Sequence, residues 1–379
     1  MTAEFLLYCR SGYEADLLAE IDHKLSINKQ FGYGRFVKDC GFIRYCITPS
    51  SHQHAAASMQ GQYKLMLTLD DLIFARQKTL IIANISFPDL QDRVADVIAK
   101  VEHVLEARSL AYQQFGDIRV EYPDTEDGKQ MAKFTKKFTV PLRSAMRKVK
   151  LLTKVENTAL PYLHIFFEQG DACILSVSYP KDRSEQLLGV KRLKFPPDAP
   201  SRSTLKLEEA ISQFCNKHQQ TKLFVPSMSA VDLGACPGGW TYQLVIRGMQ
   251  VEAVDNGAMD DKLMASGLVT YSAADGFTYK PKDGHVDWLV CDMIEQPDKV
   301  AQLMIAWLQK GWANAAIFNL KLPMKKRYLT LQTIVDEFNH CLHNEEQPMY
   351  MRAKHLYHNR DEVTFMIVKN SQMQAELIL

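Results

Sequence analysis

The residue types best suited to chemistry stand in the C-terminal half, beginning with A-V-D-L-G-A-C-P-G-G-W at 230–240. Apolar residues lead into Asp232, glycines and Pro237 break the chain, and T-Y-Q-L-V-I resumes with helical character. Strand, tight loop and helix make the first unit of a doubly wound sheet, with a ligand crevice at the strand's carboxyl end. Gly238 and Gly239 carry no Cβ, so the backbone can approach a bound group, and the helix start offers free N–H groups to an anionic group. Cys236, Pro237, Gly238 and Gly239 are therefore the expected cofactor loop. Their spacing is not the G-x-G-x-x-G of dinucleotide sites, which counts against an NAD-linked oxidoreductase.

Polar residues then end a series of apolar runs. The run at 251–254 stops at Asp255, 270–273 stops near Asp275, 287–291 stops at Asp292, and 315–320 stops at Lys321. Helical stretches at 297–309 and 329–342 separate the later runs. Side chains that end parallel strands at one edge of a sheet line its crevice. Asp255 follows Asp232 at the roughly 20-residue interval where such a sheet places the acid that holds a ribose diol. Its two oxygens can accept from vicinal hydroxyls. Ser203 precedes the helix L-K-L-E-E-A-I-S-Q-F and either caps it or touches the cofactor's methionine end.

The N-terminal half carries different signals. Strand, helix, strand, helix, strand over residues 5–75, including a helix at 51–59 and an apolar strand at 65–75, suggests a ferredoxin-like α+β segment over 1–80. An amphipathic helix at 89–107 and a strand at 118–122 follow, then a stretch at 128–152 without one acid. Lys129, Lys133, Lys136, Lys137, Arg143 and Arg147 lie within it, and Pro141 is read as the first residue of a second helix. So many like charges repel one another unless something anionic offsets them, and RNA phosphates would do so. The runs at 163–167 and 173–177, joined by E-Q-G-D, predict a hairpin. P-P-D-A-P closes a linker at 181–200, and the fold restarts over 201–379.

Helices, strand, basic helix and hairpin resemble a THUMP domain, an RNA-binding module, over 81–180. D-L-G-A-C-P-G-G-W resembles the S-adenosylmethionine loop of FtsJ-like ribose 2′-O-methyltransferases. That resemblance implies a Rossmann-like class I methyltransferase domain in which Asp275 lies against the adenine. It also implies a catalytic tetrad: Lys206 in S-R-S-T-L-K-L, Asp292, Lys321 in F-N-L-K, and Glu362 in H-N-R-D-E-V-T-F, with Asp361 the other carboxylate that could face inward. Y-C-R-S-G-Y at 8–13 and L-I-F-A-R-Q at 72–77 extend the likeness across the whole chain, which is similar to the RlmM family. That family methylates the 2′-oxygen of a cytidine in 23S rRNA using S-adenosylmethionine.

A lysine can accept a proton only when neutral, and its ordinary pKa is about 10.4. The tetrad reading therefore has Lys206 repel Lys321 as a second cation, Asp292 orient Lys321, and Glu362 hold Lys206 or the ribose. Base methyltransferases of this fold carry N/D-P-P-Y/F or paired cysteines, and D-M-I-E stands here instead, which favours an oxygen target. The competing reading is an inactive RNA-binding assembly factor.

Composition narrows the rest. With 379 residues, 46% hydrophobic, 23% charged and net charge +1, the chain has the make-up of a globular protein of several domains. Eight scattered cysteines without C-x-x-C or Cys/His spacing read as reduced thiols and exclude a metal centre. No apolar run is long enough for a membrane span, and the start lacks the form of a signal peptide, so a cytoplasmic monomer without membrane contact is expected.

Overall fold

The structure, a computed structural model, describes residues 3–48, 67–87, 89–108, 113–342 and 349–378. The chain divides into two compact units, Met1–Val190 and Lys191–Leu379.

In the first unit the elements run β1 (Ala3–Tyr8), α1 (Glu14–Ile27), β2 (Phe31–Arg35), β3 (Phe42–Thr48), β4 (Gln77–Ser86), α2 (Arg93–Arg108), β5 (Asp117–Glu121), α3 (Ala132–Lys148), β6 (Tyr162–Gln169) and β7 (Ala172–Ser178). They build one sheet in the order β2-β3-β1-β4-β7-β6-β5. The ferredoxin-like and RNA-binding segments expected from sequence thus share a sheet, and the position between residues 80 and 81 lies inside β4. That strand is central because Leu80, Ile81, Ile82 and Ile85 are apolar on both faces and need cover on both.

The strand expected at 65–75 is not one where it is described. Leu67, Leu72, Phe74 and Ala75 are buried in turns, so their apolarity reflects core filling without a strand period. The helix expected at 51–59 lies outside the described residues. β2 escaped the sequence reading because Phe31 and Tyr33 are exposed, so it has no apolar core face. Pro141 does not begin a helix; it sits inside the continuous α3, on the exposed side, while Phe138, Leu142 and Met146 are buried against β-strand residues such as Ile165 and Leu175. The proline costs one backbone hydrogen bond at a face where water can replace it.

The second unit is a doubly wound Rossmann-like domain: α4 (Thr204–Phe214), α5 (Lys217–Leu223), β8 (Ser229–Leu233), α6 (Gly239–Val245), β9 (Gln250–Asp255), α7 (Asp261–Ala265), β10 (Val269–Ala273), β11 (Val286–Cys291), α8 (Pro297–Gln309), β12 (Ala313–Lys321), α9 (Arg327–Leu342), β13 (Tyr350–Lys354), β14 (Glu362–Val368) and α10 (Ser371–Ile378). The order is β10-β9-β8-β11-β12-β14-β13. Strands β8 to β12 run parallel, whereas β14 is antiparallel to both neighbours. The chain order reverses between β8 and β11, and ligands bind at such a point, beyond the carboxyl ends of the strands. Trp288 stacks on Phe224 at 4.6 Å on one side of the sheet. Phe318, Phe338 and Phe365 form a separate cluster, with Phe318 on the opposite face of the sheet from Trp288. Burial of each ring contributes about 1.5–3 kcal/mol and keeps the strand ends in register.

Candidate active site

The glycine loop joins β8 to α6, as its sequence implies, but its glycines are required by the protein itself. Gly238 has φ of +118°, and a Cβ there would meet the Leu263 and Met259 side chains. Backbone conformation and α7 thus exclude a Cβ at Gly238 even before a ligand is considered. At Gly239 a Cβ would lie 2.0 Å from Ser203 Oγ and 2.4 Å from Ser201 Oγ, which brings α6 directly against the start of α4. Gln243 donates to Thr204 and Arg247 pairs with Glu208 along the same contact. Ser203 therefore makes no cap on α4; its hydroxyl bonds Ser201 Oγ at 2.6 Å.

Asp255 accepts from the backbone N–H of Cys236 at 2.9 Å through one oxygen and from Asn256 and Gly257 through the other. It ties the loop to the end of β9, and a carboxylate oxygen with one donor still has a lone pair for a hydroxyl. Asp275 is exposed at the next strand end and accepts from Phe277 N–H. Asp232 is fully buried. Thr241 donates to its Oδ2 at 2.6 Å, while Oδ1 has no partner. Burial pushes its pKa up to about 7, against the Thr241 bond, and the charges of Asp292 and Asp255 push the same way as burial.

This last feature predicts a pH dependence. In the ligand-free protein Asp232 holds its proton up to near pH 7, whereas in the unfolded chain it ionises near pH 4. Between these values the native state binds more protons, so unfolding free energy falls as pH rises, by roughly 4 kcal/mol in total. Asp232→Asn should abolish that fall. Urea unfolding at pH 5 and pH 8 reads the part of it above pH 5, roughly 3 kcal/mol, and the same slope in parent and variant would refute the assignment.

Three members of the expected tetrad meet directly. Lys206 Nζ, from the first turns of α4, lies 3.1 Å from both oxygens of Asp292 at the end of β11 and 2.7 Å from Glu362 Oε2 at the start of β14. Glu362, rather than Asp361, is thus the carboxylate that faces this cluster; the Asp361 carbonyl accepts from Leu322 N–H. Burial works against the Lys206 charge, but the two carboxylates outweigh it and raise its pKa. Burial likewise raises Asp292, in part offset by Lys206 and by Asn319.

Lys321 stands apart from this cluster. It is exposed at the end of β12, makes no ion pair or hydrogen bond among the described residues, and pairs in register with Glu362 across an antiparallel ladder. Directly opposed residues share a face, which places both side chains on one side of the sheet. Two expectations change accordingly. Asp292 binds Lys206 rather than orienting Lys321, and Lys206, held between two carboxylates, is not an uncompensated cation able to repel a neighbour.

Sequence reasoning missed the support beneath the cluster. Asn319 Nδ2 donates to Asp292 Oδ1 at 2.8 Å, Thr364 donates to Asn319 Oδ1 at 2.6 Å, and Asn359 donates to Thr364 at 2.7 Å. All three are buried. A polar residue two positions before Lys321 on a buried parallel strand was the one available signal.

On the basic helix, Lys133, Lys136 and Lys137 are exposed and free of ion pairs among the described residues. The other three have structural duties. Lys129 pairs with Glu126, Arg143 holds Asp117 and the Ile118 carbonyl, and Arg147 donates to Thr153 O. Among the described residues no His, Cys, Asp or Glu group of three or more could hold a metal, and no helix is long and apolar enough to cross a membrane.

Three family models match the chain in sequence: the RlmM ferredoxin-like domain at residues 1–79, the N-terminal model of ribosomal RNA large subunit methyltransferase M at 92–179, and FtsJ-like methyltransferase at 199–337. A ribosomal RNA large subunit methyltransferase M from Alteromonas mediterranea is 48% identical over 97% of this chain and 98% of its own. The chain belongs to the ribosomal RNA large subunit methyltransferase M family. The family member from Histophilus somni is 44% identical over 95% of this chain and 98% of its own. Among solved structures, TrmN from Thermus thermophilus aligns over 97% of this chain and all of its own at 13% identity, with a TM-score of 0.33. Membership confirms the likeness drawn from the glycine loop and the flanking motifs, and with it the FtsJ-like fold of the second unit.

Proposed function

We propose that this protein transfers a methyl group from S-adenosylmethionine to the ribose 2′-oxygen of a cytidine in 23S rRNA, in the cytoplasm, with Lys321 accepting the proton. The observation that carries the reading is the Lys206–Asp292–Glu362 cluster beside Lys321 at the carboxyl edge of the sheet, in a chain belonging from end to end to an rRNA methyltransferase family.

The crevice suits the cofactor electrostatically. The charges of Asp255 and Asp292 make the local potential negative, and for that reason both push the Asp232 pKa up. A ligand with an ammonium and a sulfonium offsets that field, whereas the anionic pyrophosphate of a dinucleotide would add to it. Asp255 and Asp275 are positioned for ribose and adenine, and the loop at 236–239 for the methionine part. Bound S-adenosylmethionine supplies a methyl group on a sulfonium whose thioether departs neutral, so no acid is needed at the leaving group. Lys321 Nζ would take the proton that the 2′-oxygen gives up on methylation. Lys206 is kept protonated by its two carboxylates, which suits it to orienting the hydroxyl oxygen and unfits it as the base.

In the first unit, which we read as containing the THUMP module, Lys133, Lys136 and Lys137 contact rRNA phosphates. Changing all three to Ser should weaken rRNA binding and lower the slope of log affinity against log salt by up to about 2.7, at roughly 0.9 per phosphate contact. Cofactor affinity should stay unchanged. An unaltered slope would make α3 a solvated face only.

Incubation with methyl-labelled S-adenosylmethionine and unmodified 23S or 16S transcripts tests the function as a whole. Label in 23S rRNA alone is expected. Absence of label from both would favour an inactive assembly factor.

A further inference from the structure

Two large apolar side chains stand in solvent at the edge of the sheet where the chemistry is placed. β11 and β12 are parallel neighbours, so the loops beyond their carboxyl ends leave the same edge side by side. Ile294, three residues past β11, is 76% exposed, and Met324, three residues past β12, is 91% exposed. A single exposed apolar residue is ordinary on a protein surface. Two of them, on the adjacent loops that lead away from Asp292 and Lys321, shield no core and so are not explained by the fold.

The loop that carries Met324 is fixed at both ends. Leu322 is buried and donates its backbone N–H to the Asp361 carbonyl at 2.7 Å, and Pro323 restricts the backbone of the residue before it. At the other end Lys326 has φ of +55°, a left-handed conformation that costs a lysine free energy. Its carbonyl accepts from the Thr330 N–H at 3.1 Å and from the Thr330 hydroxyl at 3.2 Å, and Tyr328 is buried two residues on. These anchors hold Pro323, Met324 and Lys325 outward. Lys325 and Lys326 are exposed and make no ion pair among the described residues, and the sequence has no acid from 321 to 335. The acid beside Ile294, Glu295, is matched by Lys299 at 3.5 Å. An apolar tip flanked by unpaired lysines suits a stacked nucleic acid: ammonium groups take the phosphates, and the apolar side chain enters between bases. Methionine is unbranched and adapts to an irregular gap.

We propose that Met324 is an unstacking wedge for the rRNA. It enters the base stack beside the acceptor nucleotide, with Lys325 and Lys326 on the adjoining phosphates, so that the acceptor leaves the stack as it enters the site. An unstacked neighbour has lost contacts that an apolar side chain in the vacated space replaces. Met324 is thus a positioning residue, and Ile294 offers a second apolar surface from the neighbouring loop. The inference rests on the proposed rRNA methylation but not on which atom of the nucleotide receives the methyl group.

The test uses the full chain, with S-adenosylmethionine for rates and S-adenosylhomocysteine for binding. Met324→Ala removes the wedge and Met324→Leu keeps an apolar one; unchanged cofactor affinity and melting temperature verify that both fold. On folded 23S rRNA Met324→Ala should lower kcat/KM at least about tenfold, and Met324→Leu should recover most of it. On an rRNA fragment with an abasic residue next to the methylated nucleotide, where the stack is already broken, parent and Met324→Ala should agree within about twofold. The base analogue 2-aminopurine placed next to that nucleotide is quenched by stacking. It should brighten when the parent binds and stay dim with Met324→Ala. Lys325→Ser/Lys326→Ser should lower the salt slope of rRNA binding by up to about 1.8, and a parental slope would remove both lysines from the contact. Parental kcat/KM and brightening in Met324→Ala, or an equal loss on both substrates, would overturn the wedge while rRNA methylation stands. Methylation of a base, with brightening lost in Met324→Ala, would retain the wedge and refute the ribose acceptor. A parent that methylates no rRNA would overturn both.

Discussion

Lys321→Ala is expected to reduce methyl transfer by at least about 10²-fold, the usual contribution of a general base, with cofactor and rRNA affinity near parental. An alcohol is poorly acidic and must lose its proton as the carbon–oxygen bond forms. Four charged residues stand near enough to be considered, and the geometry separates them. Lys206 is occupied by two carboxylates that keep it protonated. Glu362 and Asp292 are both spent on that same ammonium. Of these four, only Lys321 has a side chain with no ion pair or hydrogen bond among the described residues, and it lies on the face shared with Glu362. Single-turnover rates with saturating cofactor separate loss of the base from binding defects. A near-parental rate in Lys321→Ala would leave Asp292 as the base.

Lys206→Met should have the second largest effect. Its ammonium is the shared partner of Asp292 and Glu362, so its removal leaves two carboxylates, both less than one-fifth exposed, without their cation. Loss of one partner in a buried pair costs roughly 3–5 kcal/mol, and partial solvent access at this site puts the expected loss toward the lower end. The Lys206 pKa is raised in the folded protein, so its stabilisation is fully present at neutral pH and disappears only in the alkaline range, as pH passes the folded value. Chemical unfolding at pH 7 therefore reads the whole effect. Asp292, already raised by burial, should titrate higher still without Lys206. The acid limb of the rate profile should move up in pH, and kcat should fall by more than about 10²-fold. Lys206→Arg, which retains the charge, should recover most of the stability and little of the rate. Stability and pH profile both unchanged in Lys206→Met would mean that the cluster is incidental.

How far the sequence disclosed this arrangement varied with the kind of signal. Parallel strands that end in a charged residue were legible, because an apolar run interrupted by Asp255, Asp292 or Lys321 marks both a buried strand and its crevice edge. The helix that carries Lys206 was legible from L-K-L-E-E-A-I-S-Q-F, whose Leu207, Ala210, Ile211 and Phe214 line one buried face. Pairings between distant segments were not. Nothing in a linear reading shows that Asp292 turns toward Lys206 rather than Lys321, since that follows from how α4 docks on α6 through Gly239 and Thr204. The Asn359–Thr364–Asn319 relay was silent for a similar reason: small polar residues in strands have no period of their own. In the first unit β4 was displaced in the reading because buried turns at 67–75 are as apolar as a strand.

The claim that the acceptor is a ribose oxygen is tested most directly by chemical cleavage. Unmodified 23S rRNA treated with the protein and S-adenosylmethionine should, after partial alkaline hydrolysis, lack one band in an otherwise complete ladder. Cleavage requires a free 2′-hydroxyl, so the missing band should fall immediately 3′ of a single cytidine and should remain in the Lys321→Ala reaction. An unbroken ladder from rRNA that has nonetheless taken up the methyl label would place the methyl group on a base and contradict the account.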